Sequence, residues 1–387
     1  MEKLLYIHNN FIAKKGSLNT TLLQIFSMCN SFSKAGFDVI LAMEGNDSTF
    51  RTDIDCFAED SFKHKLFFRT IHWNRKSRKN LLNRLLIIPQ IKVLLDKEKP
   101  DLVFTREPIF LRTILKKSFL VIYESHNGKL HNRSLLAHLF ILNEIKQASK
   151  NKNFLCLFSI SQALLNFWKN KGVPEIKLFA WHDGFDADLF ENILSKKTAR
   201  ENLGLLQNKN IIVYAGGLYP DREIENILKL AKNNPELLFI IIGGPDKNKI
   251  LFEMNASRGL ITNIQFTGLI PHIKIPEYLY AADILLALWS KKVPTINYCS
   301  PLKLFEYMAS GRLILTHRFP TISEVLEDNI DAIFCEPDDF HSLKTKLGEA
   351  LLKYRNKDYG DSARRKAFEL YSWDTRVKKL LEFIAEK

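Results

Sequence analysis

The sequence predicts an α/β protein built from two doubly wound parallel sheets. Two observations carry this. Short apolar runs of strand length alternate with amphipathic stretches along nearly the whole chain, and within each run consecutive residues are apolar. Strands hidden on both faces read this way, and a parallel sheet covered by helices on each side is their usual setting. The runs also fall into two series, separated by a polar stretch without a strand, so each series supplies its own sheet.

The first series is Leu4–His8, Val39–Met43, Leu66–Ile71, Leu102–Thr105, Leu120–Glu124 and Phe154–Ser159. The second is Ile211–Ala215, Leu238–Gly243, Ile264–Gly268, Ile284–Leu288, Leu313–Thr316 and Ala332–Cys335. Helical patterns lie between them, for example Leu18–Ala35, Leu81–Lys97 and Ser342–Tyr354. Asp186 to Asn210 reads as the link. Asp361 to Lys387 reads as a helix, a break near Ser372–Trp373, and a second helix.

Composition narrows the function. Apolar residues make up 46% and charged residues 26%, which excludes wholesale disorder, collagen and coiled coil. No apolar run reaches the roughly 18 residues of a membrane span; Leu81 to Leu95 is interrupted by Arg84, Pro89 and Lys92. The stretch Leu4 to Ile7, followed by Asn9 and Asn10, is too short for a secretory leader, so a cytoplasmic chain is expected. Cysteines at 29, 56, 156, 299 and 335 are widely spaced and predict neither disulfides nor a zinc site. The net charge is +13, and residues 1–190 carry 28 Lys and Arg against 18 Asp and Glu. That excess calls for an anionic partner; nucleic acid, an anionic membrane and phosphorylated substrates all satisfy charge alone.

Ligands of such sheets bind where strands end and helices begin. After the first strand, Gly16 precedes a long helix and would let backbone N–H groups approach an anion. In the second half, Gly216 and Gly217 end a strand, and Arg222 in Asp221-Arg-Glu223 opens a helix. The most informative stretch runs from Ser300 to Gly311. Ser300 suits an N-cap, Pro301 the first helical position and Gly311 the stop. The N–H groups of Leu302 and Lys303, with the Lys303 charge, would favour a phosphate. Glu306 is placed to accept two ribose hydroxyls; the competing reading is a Lys303–Glu306 surface pair of little energetic weight.

Here the sequence resembles the family 4 glycosyltransferases of the GT-B fold. The resemblance rests on SPLKLFEYMASGRLILTHRFPTISEVL (300–326), which looks like the family's donor-helix signature. In order along the chain it is joined by VIYESHN (121–127), HDGFDADLF (182–190), IIVYAGGLYPDREIENIL (211–228), IQFTGLIPHIKIPEYLYAADILLAL (264–288) and YSWDTRVKKLLEFI (371–384). It implies two Rossmann-like domains flanking a cleft. Residues 1–188 would be the acceptor side, joined by a crossover helix over 372–387, and 189–371 the donor side. It further implies transfer of a sugar from a nucleoside-diphosphate donor, with retention, to a glycan or lipid-linked glycan in surface polysaccharide or glycoconjugate synthesis. Glu306 matches the ribose glutamate, Leu302 and Lys303 the phosphate-binding helix start, Arg222 the diphosphate cation, Gly16 the donor-facing glycine loop and His126 the histidine near the sugar. Gly216 and Gly217 fall on the donor-binding loop.

Two positions depart from the family pattern. Tyr298 stands where a sugar-contacting glutamate is common, and Gly217 where an arginine is common; Lys303, Lys291 or Lys292 could replace that cation. The D-x-D patterns Asp53/Asp55 and Asp186/Asp188 are poor evidence of a metal, since roughly one such match arises by chance in a chain of this composition, and neither metal nor cofactor is expected. A front-face displacement, with domain closure excluding water, needs only fixed cations. Another sugar-nucleotide enzyme, an epimerase or hydrolase, and an inactive GT-B partner subunit stay open. No nucleic-acid module is recognised. Arg75, Lys76, Arg78, Lys79 and Arg84 are expected to dock the first domain peripherally on an anionic inner membrane face.

Overall fold

The computed structural model describes residues 2–11, 20–45, 48–74, 87–128, 135–355 and 358–387. Gly16 and the basic cluster from Arg75 to Arg84 lie outside them.

Two all-parallel sheets form, as expected. The first contains β1 (Lys3–Phe11), β2 (Asp38–Gly45), β3 (Arg69–Asn74), β4 (Leu102–Thr105), β5 (Leu120–Ser125), β6 (Phe154–Ser159) and β7 (Leu178–Ala180), in the order 3-2-1-4-5-6-7. The second contains β8 (Ile211–Ala215), β9 (Leu238–Ile242), β10 (Ile264–Gly268), β11 (Ile284–Ala287), β12 (Leu313–His317) and β13 (Ile333–Cys335), in the order 10-9-8-11-12-13. In both, the order reverses beside the first strand, and that switch point opens a crevice at the carboxyl edge.

The consecutive apolar residues do what their pattern requires. Leu5 and Ile7 of β1 enter one core while Leu4 and Tyr6 enter another on the opposite face. Ile211 and Val213 of β8 divide from Ile212 and Tyr214 in the same way. Two strand readings need correction. The third strand is Arg69–Asn74, not Leu66–Ile71: it is an edge strand, and Phe67 before it is 54% exposed. β7 went unread because three residues carry no periodicity.

The segment between the sheets holds only two short helices, Ala187–Phe190 and Lys196–Asn202, among the described residues. The chain returns beside it. Phe185 N–H donates to the Tyr371 carbonyl (3.1 Å) and Trp373 N–H to the Phe185 carbonyl (3.3 Å). A Cβ on Gly184 would lie 2.4 Å from the Tyr371 oxygen, so this crossing admits only glycine. Ser372 then caps the helix Trp373–Ala385, whose Trp373, Val377 and Leu380 join the core of the first sheet.

Candidate active site

The second sheet supplies one wall of the cleft. β8 runs into Gly216, which adopts φ 153°. Its carbonyl oxygen would lie 1.9 Å from a Cβ on Gly243, so the loops after β8 and β9 approach as closely as bare backbone allows. Arg222 ends the single turn Pro220–Arg222, before the helix Ile224–Asn233 rather than within it. Its Nη1 is 3.1 Å from Asp221 Oδ1, but outside hydrogen-bonding geometry, and both atoms are buried without a hydrogen-bond partner.

Lys303 stands in the first turn of the helix Leu302–Ser310. Its Nζ is buried with no hydrogen-bond partner. It rests 4.1 Å from the ring centroid of Tyr214 and 4.5 Å from that of Trp289. Burial, then repulsion by Arg222, holds its ammonium well below the usual lysine range. An ammonium withdrawn from water without a counter-ion is costly, so Lys303, with Arg222 beside it, leaves this wall able to accept an anion. Gly311 ends this helix in the left-handed conformation at φ 68°. Ser300 is not its cap. The cap position is Pro301, and the Ser300 hydroxyl instead accepts from Asp183 N–H (2.8 Å) and lies 3.3 Å from His182 Nδ1.

Glu306 is buried one turn beyond Lys303, and its Oε1 is 2.5 Å from His272 Nε2. His272 Nδ1 is 3.2 Å from the Ser61 carbonyl, on a helix that packs against the first sheet. With acceptors at both ring nitrogens, the imidazolium is favoured. Burial alone would lower the His272 pKa, but Glu306 and the Ser61 carbonyl raise it. The Lys303–Glu306 surface pair is excluded, since both side chains are withdrawn from solvent and Lys303 Nζ has no hydrogen-bond partner.

The first sheet supplies the opposite wall. β5 delivers Glu124 into the interior and His126 to the cleft. Glu124 Oε2 is 3.1 Å from His126 Nε2, and Glu124 Oε1 is 2.7 Å from Arg376 Nη1. Arg106 Nε lies 3.7 Å from Glu124. Arg376 Nη2 reaches within 3.5 Å of Asp183, which also accepts from Gln24 at 2.6 Å. Burial would push the Glu124 carboxyl up, yet Arg376, His126 and Arg106 hold it well below the carboxylate range. Burial and Arg106 lower His126 to about 4, so it is neutral at physiological pH; its Nε2 lies 3.1 Å from both Glu124 Oε2 and the Gln24 amide nitrogen. Burial, reinforced by Glu124, raises Asp183 to about 7 against the pull of Arg376.

Glu124, His126 and Asp183 lie close enough to share a metal ion. Two guanidinium groups already compensate their charge, so the set reads as a closed ion-pair network.

His126, Gly216, Gly217, Arg222, Leu302 and Lys303 therefore face one cleft. Glu306 sits behind it on His272. Lys291 and Lys292 are exposed and do not line it. Tyr298 packs against the core of the first sheet. Sequence reading missed Gln24, Arg106, Glu124, Asp183 and Arg376. For Arg376 a signal existed: it shares a helical stripe with Trp373, Val377 and Leu380, where an arginine must meet a buried partner.

Residues 195–366 match the family model described as Glycosyl transferases group 1. An Escherichia coli chain named for colanic acid biosynthesis glycosyl transfer is 25% identical over 201 residues, 50% of this chain and 49% of that one. A lipopolysaccharide 1,2-N-acetylglucosaminetransferase of Salmonella typhimurium is 21% identical over 235 residues, 57% of this chain and 60% of that one. The matches thus span about half of these relatives. Among solved structures, Anabaena HepE in complex with UDP and glucose superimposes with a TM-score of 0.76 over 100% of both chains, at 14% identity. That likeness establishes the fold.

Proposed function

We propose that this chain, whose residues 195–366 match the group 1 glycosyl transferase model, is a GT-B glycosyltransferase that moves a sugar from a nucleoside-diphosphate donor to a glycan or lipid-linked glycan acceptor with retention of configuration. One observation carries the reading: Arg222 and Lys303 aim buried, hydrogen-bond-free nitrogens into one cleft. A diphosphate supplies the negative charge that Lys303 lacks and that Asp221 alone brings to Arg222. HepE is named with UDP, which makes UDP-sugars the first donors to test.

In this mechanism the bond from anomeric carbon to phosphate oxygen breaks as the acceptor oxygen attacks the same face. The acceptor proton passes to the departing phosphate. Arg222 and Lys303 neutralise the charge that develops there, which is the main requirement of the step. Neutral His126, held by Glu124, positions the sugar and takes no proton. Glu306 binds the ribose through the oxygen that His272 leaves available. Two fixed cations do the work of a divalent ion, so turnover is metal-independent. Lipopolysaccharide and colanic acid in the relatives' names support a surface-glycan acceptor.

Thermal-shift screening of nucleoside diphosphates and UDP-sugars in EDTA tests this. A ligand at about 100 times its Kd should stabilise the fold by about 2.7 kcal/mol. No shift with any nucleotide would reject the reading, as would activity that requires manganese.

A further inference from the structure

The helix Leu135–Ala148 leaves a large apolar surface uncovered. Leu135 is 71% exposed, Leu136 79%, Leu139 52% and Phe140 39%. At helical spacing these four share one face of the first two turns, while Ile141, Ile145 and Ala148 bury the opposite face in the first-domain core. Along the exposed face the next positions are Asn143, Lys146, Gln147 and Lys150, all exposed. The face is therefore apolar at one end and basic at the other.

The charge around it is one-sided. Between Glu124 and Glu175 the sequence holds a single acidic residue, Glu144. Glu144 is buried and paired with Arg112. Lys146, Lys150, Lys152 and Lys171 of the same stretch are all exposed; Lys169 is exposed too and pairs with Glu175 at its far end. Lys146 also approaches the turn at Gly172, which gathers this charge on the two neighbouring helices. A contiguous apolar face beside basic side chains, with no exposed acid between them, fits the interface of an anionic bilayer: apolar groups enter the headgroup boundary and lysines meet the phosphates. The face of a second copy of this chain would bring like charges together.

We infer that the exposed face of Leu135–Ala148 docks the protein on an anionic lipid bilayer. The helix follows β5 and runs antiparallel to it, so its apolar end lies at the carboxyl edge of the first sheet, the edge that presents His126. Docking would hold the acceptor side of the cleft against the membrane surface. The cluster from Arg75 to Arg84 lies outside the described residues and carries no part of this inference. Its purpose rests on the proposed transfer to lipid-linked acceptors; its test does not.

The test is cosedimentation with vesicles of phosphatidylglycerol and phosphatidylcholine, with pure phosphatidylcholine as control, at low and high salt. Wild type should bind the anionic vesicles and release as salt rises. Leu135→Ser, Leu136→Ser and Leu139→Ser together should lower partition at least about tenfold. Lys146→Glu with Lys150→Glu should lower it at least about 25-fold, from about fivefold for each charge lost near the surface. Both variants should keep the wild-type melting temperature and UDP affinity, because the altered residues touch neither core nor cleft. No binding by wild type at low salt would overturn the inference, as would equal binding by both variants. So would a wild-type dimer, by light scattering, that the triple serine variant dissociates. A wild type that binds vesicles but no nucleotide would leave the docking surface standing and sink the proposed function.

Discussion

Arg376 Nη1 stands 2.7 Å from Glu124 Oε1, and neither side chain reaches solvent. The pair joins the last helix of the chain to the strand that carries His126. The guanidinium also lies over Phe158 at 4.1 Å and donates through Nε to the His182 carbonyl at 2.9 Å. Removing one partner strands a charge in the interior, which costs roughly 3–5 kcal/mol. Arg376→Met should lose that much in urea unfolding, and adding Glu124→Gln should recover part of it. If Arg376→Met were neutral, the pair would not anchor the crossover helix.

The same network predicts a cancellation in pH. His126, lowered to about 4, contributes stability above its unfolded pKa near 6.5 that is lost as pH falls toward 4. Asp183, raised to about 7, does the reverse: its contribution is fullest near pH 4 and is lost as pH rises to 7. Between about 4 and 6.5 the two slopes oppose each other. Relative to wild type, Asp183→Asn should gain stability as pH rises through this window, and His126→Gln should gain as it falls. Melting curves of both variants from pH 4 to 7.5 check the signs; parallel profiles would contradict them.

Lys303 should take up a proton when a diphosphate binds at alkaline pH, since burial and Arg222 lower its pKa in the free protein. Calorimetric titration of UDP in buffers of different ionisation enthalpy should reveal net proton uptake at alkaline pH. Lys303→Met should abolish it. Identical heats in all buffers would mean that the charge is already present.

Glu306 and His272 form a second test. The raised His272 pKa gives stability that is complete below about pH 6.5 and is lost as pH rises through the folded pKa. Glu306→Gln should flatten that slope and weaken UDP binding by roughly 1–3 kcal/mol, the cost of losing a charged hydrogen-bond acceptor. Unchanged UDP affinity in a folded variant would remove Glu306 from the ribose.

Much of this arrangement was legible in the sequence because it is local. Eleven of the strands announced themselves as apolar runs, and the stretch from Ser300 to Gly311 carried its helix, its cation and its glycine stop in one reading. What remained hidden is relational. Ser300 suited an N-cap, but its hydroxyl accepts from the Asp183 N–H instead, a partner 117 positions away. Glu124 ends a predicted strand and Asp183 lies in the HDGFDADLF stretch, and nothing near either position announces Arg376, which arrives from far along the chain. Pairings of that kind follow from the chain crossing at Gly184, not from any spacing.

The central claim is that Arg222 and Lys303 together form the diphosphate site. The most direct measurement is UDP titration in excess EDTA of wild type and of Arg222→Ala with Lys303→Met. The account predicts saturable one-site binding by the wild type and a loss of at least about 30-fold in the double variant, two charged contacts at about 1.5–3 kcal/mol each leaving ample margin. Equal affinity in a folded double variant, or UDP binding by the wild type only after a divalent metal is restored, would contradict it.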